Sequence, residues 1–523
     1  MPPPQKLSDL VNSNVAPTLA EAALARRVLE GLIEEASVYR ARLEASELEV
    51  LRLRSVLSPA RRLPVEIIGE ILLLVTPLVL CSRGRAKLLD LTAVCRHWRQ
   101  AALLTHRLWG GLSIDATAPE SAYDSILSWF SRAGALPKFL YYESRPTPCD
   151  CDDTFMGECQ AASPLIVHLL SEGPLLEHLK LSLTSPGCLR NAVIALKVYK
   201  SENRPRQRPW DNLQSIKLVF GAGQSRVQWE GPIDPEESMF YSLPPVQAFH
   251  IHLPPPWSSF TYNDDSRTDL PSATTTFISR LTTFMIKWDC AGLKLFELLR
   301  YCVNVETLTI DFDSSSPVRE HRHTPLLKAL AHAPLTLPKV RTLQLRRTST
   351  EILDYLETPA LTSLDISLNG EMRERDHFVG AVSSFLLRSK VIQTVERLRI
   401  HALTVSAFDL RTLFSRIVGI RHLTLDDVVF DGLLFVSTTL STLPLLTELN
   451  MLQISVRYNV SLDIYLLHTR KNCEPCNVTV TYGYEPARIR ESEWNTYRLT
   501  RAHPGSTRIS LRVLPMSANP YNL

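Results

Sequence analysis

Six short clusters in the sequence carry side chains able to hold a metal, attack a substrate or grip a phosphate. The stretch LTAVCRHWRQAALLTHRLWGGL, residues 91–112, places Cys95 two residues before His97. Those are the types of a thiolate–imidazole pair or of half a zinc site. The insertion Pro146–Cys159 holds Cys149, Cys151 and Cys159 among Asp150, Asp152 and Asp153. Cys473-Glu-Pro-Cys476 has the CxxC spacing used in zinc and redox sites. His250-Phe-His252 sets two imidazoles on one side of an expected strand, and His321-Arg-His323 lies in a polar run. Asn203–Trp210, NRPRQRPW, combines three arginines with an aromatic, the composition of an RNA or phosphopeptide contact.

Each cluster lacks what would complete it. The CxxC has no second pair nearby, and the Cys149 cluster has no neighbouring histidine and no standard zinc spacing. On a helix, residues two apart point about 200° apart, so Cys95 and His97 do not converge on one atom. Cys95 is instead expected to share a face with Leu91, Val94, Trp98 and Ala102, with His97 on the polar side. The sequence holds no G-x-x-x-x-G-K-[ST], H-E-x-x-H or G-x-S-x-G, and its carboxylates form no helix-spaced pair for acid–base work. No catalytic residue, metal or cofactor is therefore expected. Glycine-rich phosphate loops are unlikely features of a chain with 19 glycines and 35 prolines. With 57 basic and 54 acidic residues, the net charge of +3 points to neither nucleic acid nor membrane as a partner. The start, MPPPQKLSDLVNSNVAP, has no signal-peptide pattern. The most apolar run, Ile67–Leu80, is broken by Glu70 and Pro77 and is shorter than the ~20 apolar residues of a membrane span. A cytoplasmic or nuclear protein with mostly reduced cysteines is expected.

The elements that position these residues follow from periodicity. From Leu19 to Leu57 the apolar residues Leu24, Val28, Leu32, Tyr39, Leu43, Val50, Leu53 and Leu57 recur at helical spacing, with charges mostly off the stripe. This predicts one long amphipathic helix, either folded back on its own protein or self-associating as a coiled coil, ended by Ser58-Pro59. Leu63-Pro64 then opens a helix with Ile67, Ile68, Ile71 and Leu72 on one face. The polar run Ser82–Lys87 reads as a loop. Leu88–Leu104 reads as one helix and His106–Trp109 as a short helical turn.

Beyond residue 113 an apolar triplet recurs at positions one, four and six. It begins at Leu176, Leu213, Val246, Leu281, Val305, Val340, Leu361, Val395, Ile420 and Leu446, with starts 21 to 37 residues apart. The last two positions of each triplet point inward from a strand, and the first fills the core at the turn entering it. Intervening segments such as Phe296–Cys302, Phe378–Ser389 and Leu410–Ile417 read as helices. A leucine-rich-repeat-like array is expected, although the asparagine usual after the strand is mostly absent. The alternative is an ordinary α/β domain with a parallel sheet. Strands near Asn477–Tyr482 and Thr507–Val513 are expected to cap the open end of the core.

The segments LPVEIIGEIL, LLDLTAVCRHWRQAAL and LWGGL, within residues 63–112, resemble the F-box. The departure is a longer apolar stretch, LLLVTPLVLCSRGRAK, between its first two helices. The resemblance implies a non-catalytic adaptor subunit that docks on a Skp-family adaptor, and through it on a cullin carrying a RING subunit, while the C-terminal domain recruits an unknown protein substrate for ubiquitin transfer. It implies that Leu63, Pro64, Ile67, Ile68 and Ile71 enter the adaptor's groove. Val94, Cys95, Trp98 and Trp109 would form the same contact or support it from behind. Alternatives are a scaffold outside any ligase, built on the helix and repeats, and an F-box–adaptor complex without cullin. The expected fold is α+β multidomain: a long N-terminal helix and a small all-α F-box, then an irregular α/β leucine-rich-repeat-like solenoid. The expected boundaries are a disordered 1–18, the helix over 19–58, the F-box over 59–113, the repeats over 114–455 and a C-terminal cap over 456–523.

Overall fold

A computed structural model describes residue 12 and residues 16–144, 159–203, 208–221, 239–253, 272–287, 294–312, 324–368, 378–434, 443–454, 475–482 and 509–513. The expected disorder of most of 1–18, the Cys149–Cys151 insertion, the His321–His323 run and Cys473 lie outside these residues. The chain divides into two compact units, Met1–Pro77 with Ala86–Thr105, and Leu78–Arg85 with His106–Leu523. Among the described residues no helix is long and apolar enough to cross a membrane.

The first unit opens with α1 (Leu19–Leu57). Its start is a reciprocal cap: the Glu21 N–H donates to Thr18 Oγ1 at 3.4 Å, while the Thr18 N–H donates to Glu21 Oε2 at 2.9 Å. A 3₁₀ turn (Pro59–Arg62) leads into α2 (Val65–Val75), with Pro64 at the position before it, where no amide donor is needed. Next come α3 (Ser82–Ala93) and α4 (Arg96–Leu104). Two expectations change here. The polar run Ser82–Lys87 is the start of α3 rather than a loop. Its first turn shows no apolar period because a hydrogen bond anchors it instead, from Arg85 Nη1 to the Ser113 carbonyl at 2.8 Å. The single helix Leu88–Leu104 is two helices, broken where Cys95 takes an extended backbone (φ −163°, ψ 172°). Thr92 and the β-branched Val94 are poor helix formers at that point, and the break frees α4 to pack against α2. Cys95 therefore lies on no helical face.

The second unit is built on one sheet. Its strands are β1 (Gly111–Asp115), β2 (Phe139–Glu143), β3 (His178–Leu183), β4 (Ser215–Phe220), β5 (Ala248–His252), β6 (Thr283–Lys287) and β7 (Thr307–Asp311). They continue with β8 (Thr342–Arg346), β9 (Ser363–Ser367), β10 (Arg397–His401), β11 (His422–Asp426), β12 (Glu448–Ile454), β13 (Cys476–Tyr482) and β14 (Ile509–Val513). Among the described residues these fourteen strands lie in sequence order, each parallel to the next. Helices of the connections include α5 (Tyr123–Ser131), α6 (Pro164–Glu172), α7 (Pro186–Asn203), α8 (Ser272–Ile278), α9 (Lys294–Leu299), α10 (Pro325–His332), α11 (Phe378–Arg388) and α12 (Ala407–Arg416). Right-handed crossovers in a sheet of sequential order put such connections on one face. The array begins earlier than residue 114, since β1 and β2 precede the first recurrent triplet. It also runs past 455, with β13 and β14 joining as further parallel strands of the same sheet.

The register explains the apolar spacing. Leu140, Leu179, Ile216, Phe249, Phe284, Leu308, Leu343, Leu364, Leu398, Leu423 and Leu449 stand opposite one another across successive strands. None of them is more than 2% exposed. Within this row the rings of Phe249 and Phe284 stack at 6.2 Å. The first triplet residues, from Leu176 to Leu446, are buried as well. Each entering turn is tied to the one before: the N–H groups of Gln214 and Ser215 donate to the Glu177 carbonyl, and those of Thr282 and Thr283 to Gln247. The same double bond recurs from Arg421 and His422 to Glu396. In place of an asparagine after the strand, Arg347, Ala402 and Asp427 take left-handed backbone geometry. There their N–H groups reach the next strand's carbonyls at Ser367, Asp426 and Leu452.

The long apolar stretch after α2 has a place in this unit. Leu80 bridges in parallel to Leu112, its N–H donating to Gly111 and its carbonyl accepting from Ser113. The free edge of β1 is thereby covered. Contact is so close that a Cβ on Gly111 would stand 2.2 Å from the Leu78 carbonyl oxygen. Gly111→Ala is expected to lower stability by about 1–3 kcal/mol, read as a fall in the urea midpoint at unchanged slope.

Candidate functional site

The helical unit is organised around one helix with two apolar faces. On one side of α2, Ile68, Gly69 and Leu72 are buried. Ala101 and Ala102 of α4 are buried too, and α2 packs on α4. The approach is tight, because a Cβ on Gly69 would lie 2.3 Å from Thr105 Oγ1. His97 holds the entrance: its Nε2–H donates to the Leu63 carbonyl at 2.8 Å. The histidine expected on a polar side is thus half-buried and fixes the Leu63-Pro64 turn against α4. At the other end, the Thr76 hydroxyl donates to the Leu72 carbonyl and Lys87 Nζ to the Val75 carbonyl.

The second face of α2 has no cover. Ile67 is 48% exposed, Leu74 85% and Val75 42%, with Ile71 half-buried between them. At about 100° per residue these four fall within one arc, and Ile68 and Leu72 lie outside it. A helix apolar on both sides is one that has two partners. The nine residues singled out by the resemblance separate accordingly. Ile68 is core, Ile67 and Val94 are exposed, and Pro64 is exposed at the helix start. Leu63, Ile71, Cys95 and Trp98 are half-buried. Trp109 is buried in the sheet unit, its ring edge-on to Trp129 at 4.7 Å and under the Arg132 guanidinium at 4.6 Å. Leu74 and Val75 went unnoticed in the sequence because the apolar run continues past any motif position.

The second candidate surface is the outward row of the sheet. Lys180 faces Lys217, and Lys217 faces His250, across β3, β4 and β5. His252 faces Lys287 of β6. Like charges set opposite one another at the strand spacing of about 4.8 Å repel. Burial, then Lys217, holds the His250 imidazole down to about 4. His252 is held to about 3 by burial and then by Lys217 and Lys287. Both rings are neutral at pH 7, and His252 Nε2 is buried without a hydrogen-bond partner. Lys217 is itself lowered, by burial and then by Lys180 and Lys287. Further along the sheet, opposite charges alternate instead. Arg399 bridges Asp365 at 3.0 Å and Asp426 at 2.7 Å, and Arg347 grips Asp311 at 2.7 Å.

Among the described residues the remaining clusters show no open site. Of the basic insertion, Arg208 is buried and bound bidentately to Asp211 (2.5 and 2.8 Å), and Trp210 is core. Those two residues build the entry to β4 and are not free to grip a phosphate. A thiol pair that the sequence did not suggest sets Cys159 beside Cys188, 29 residues further along the chain. The neighbouring Cys159 thiol and then the Thr184 hydroxyl, 3.0 Å away, draw the Cys188 thiol below its ordinary range. Cys188 is 2% exposed, however, which denies a substrate access. Among the described residues no group of three or more His, Cys, Asp or Glu could hold a metal ion.

No family model matches the chain, and no curated protein matches it.

The two depressed imidazoles make stability depend on pH. Above about 6.5 they are neutral in both folded and unfolded chains. As pH falls below that value the unfolded chain takes up protons that the folded one refuses, so stability is lost down to about 4. His250→Gln combined with His252→Gln is expected to flatten the fall in melting temperature between pH 6.5 and 4 relative to the unaltered protein. A fall as steep as before would mean that other groups govern it.

Proposed function

We propose that this chain is a non-catalytic adaptor: its helical unit docks on a Skp-family adaptor of a cullin–RING ubiquitin ligase, and the outward face of its sheet recruits a protein for modification. The support is a coincidence of two independent features. The residues that resemble the F-box, LPVEIIGEIL, form a helix whose apolar anchors are split between a closed core and an uncovered apolar face. That uncovered face, Ile67 and Leu74 above all, is the observation that carries the reading. Large aliphatic anchors of this kind each contribute about 2 kcal/mol or more at protein interfaces. Ile68 has no part in the contact, since it is fully buried. The sheet offers the complementary surface, a row of outward side chains that the backbone register holds in fixed spacing while the connections vary.

The exposed positions allow a test that leaves the fold alone. Ile67→Asp with Leu74→Asp is expected to weaken co-purification with the Skp-family adaptor by about a thousandfold, from two anchors of about 2 kcal/mol each. The melting temperature should be unchanged. Undiminished capture of the adaptor would sink the docking assignment, and adaptor capture without cullin would sink the ligase part alone.

A further inference from the structure

The helix α1 is a 39-residue element whose apolar side chains stand in solvent. From Leu29 to Leu57 every described position is exposed, Leu43 by 59% and Leu53 by 55%. Within its own unit the helix therefore does not fold back on the described residues, one of the two expectations for this segment. An isolated helix draws most of its stability from a packed apolar face, so this one is missing a partner.

Its heptad register says which partner. Counting from Leu29, the a positions are Leu29, Ala36, Leu43, Val50 and Leu57, and the d positions are Leu32, Tyr39, Ser46 and Leu53. This strict period of seven is the seam of a two-stranded coiled coil. The flanking positions carry alternating charge: Glu35, Arg42 and Glu49 at g, and Arg40, Glu47 and Arg54 at e. In a parallel, in-register pair each g residue meets the e residue five places further along the partner helix. Glu35 then meets Arg40, Arg42 meets Glu47, and Glu49 meets Arg54, every one a pair of opposite charges, and the symmetry doubles them. The heptad before these pairs Val28 with Ile33, both apolar. An antiparallel pair of nearly full overlap sets Ile33 against Arg40 and Val28 against Glu49, and so wastes two of the charges. Within one helix the same residues find little: Arg52 with Glu49, at 3.5 Å and well exposed, is the ion pair seen in α1.

We propose that two copies of this chain pair through α1 as a parallel, in-register coiled coil, with Glu35–Arg40, Arg42–Glu47 and Glu49–Arg54 selecting the orientation. The occupant of the apolar stripe is a second copy because its charge pattern is self-complementary. The proposal is independent of the docking reading. A dimer carries two helical units and two sheets, so a recruited protein with two binding segments is held with avidity.

Two charge-reversed full-length chains test it. One carries Glu35→Arg, Arg42→Glu and Glu49→Arg; the other carries Arg40→Glu, Glu47→Arg and Arg54→Glu. By light scattering at micromolar concentration the unaltered chain is expected to be a dimer. Each variant alone should dissociate at least about tenfold more readily, because all six interhelical pairs become like-charged. An equimolar mixture of differently tagged variants should restore a dimer containing one of each, with helicity by circular dichroism showing that both variants keep α1. A monomeric unaltered chain overturns the proposal. So does a pair of variants that both remain dimers, since g-to-g pairing in an antiparallel coil survives the reversal.

Discussion

Strand register is the constraint on which the sheet unit depends. A parallel strand with one buried face cannot satisfy its inward side chains or its amides alone; both are met by the strands on either side. The row from Leu140 to Leu449 is continuous only because every strand holds the same alignment. A slip of one residue would turn each inward leucine out and each outward lysine in. The paired N–H groups entering each strand fix that alignment at its start, and left-handed residues such as Ala402 and Asp427 fix it at its end. The array also has to begin somewhere, which gives the segment around Leu80 its role: it covers the first edge in the same parallel sense.

The alignment that stacks leucines inward stacks charges outward. Where the outward residues alternate in sign, as in Asp365, Arg399 and Asp426, the stacking yields half-buried ion pairs. Where they do not, as in Lys180, Lys217 and His250, burial and then repulsion hold the imidazole neutral. Such crowding is poor for stability. The two halves of the sheet face thus differ in character although their backbones are alike.

The helical unit works by the opposite logic. Its small core, closed by Ile68, Leu72, Ala101 and Ala102 and pinned by His97, uses up only one side of α2. A unit this short buries too little to absorb all of its apolar residues, so the rest stay exposed. Helix α1 follows the same rule at greater length, with its apolar seam exposed among the described residues of its unit.

Much of this was legible in the residues. The spacing of seven and of three to four marks α1, and the recurring one-four-six triplet marks the strands from β3 onward, because periodicity is a local property that each segment carries in itself. Other features depended on contacts distant in sequence. β1 and β2 were missed because Gly111 and Phe139 open strands without the triplet's leading leucine. The helical start at Ser82 was missed because a hydrogen bond to Ser113 replaces apolar period. Most telling is the run of Ile67, Ile68, Ile71, Leu72 and Leu74: the residue types announce an apolar helix and nothing more. Which of them is core and which is surface was decided only when α4, turned by the break at Cys95, took one side and left the other open. So broad an apolar arc has no core face of its own until a neighbour chooses one.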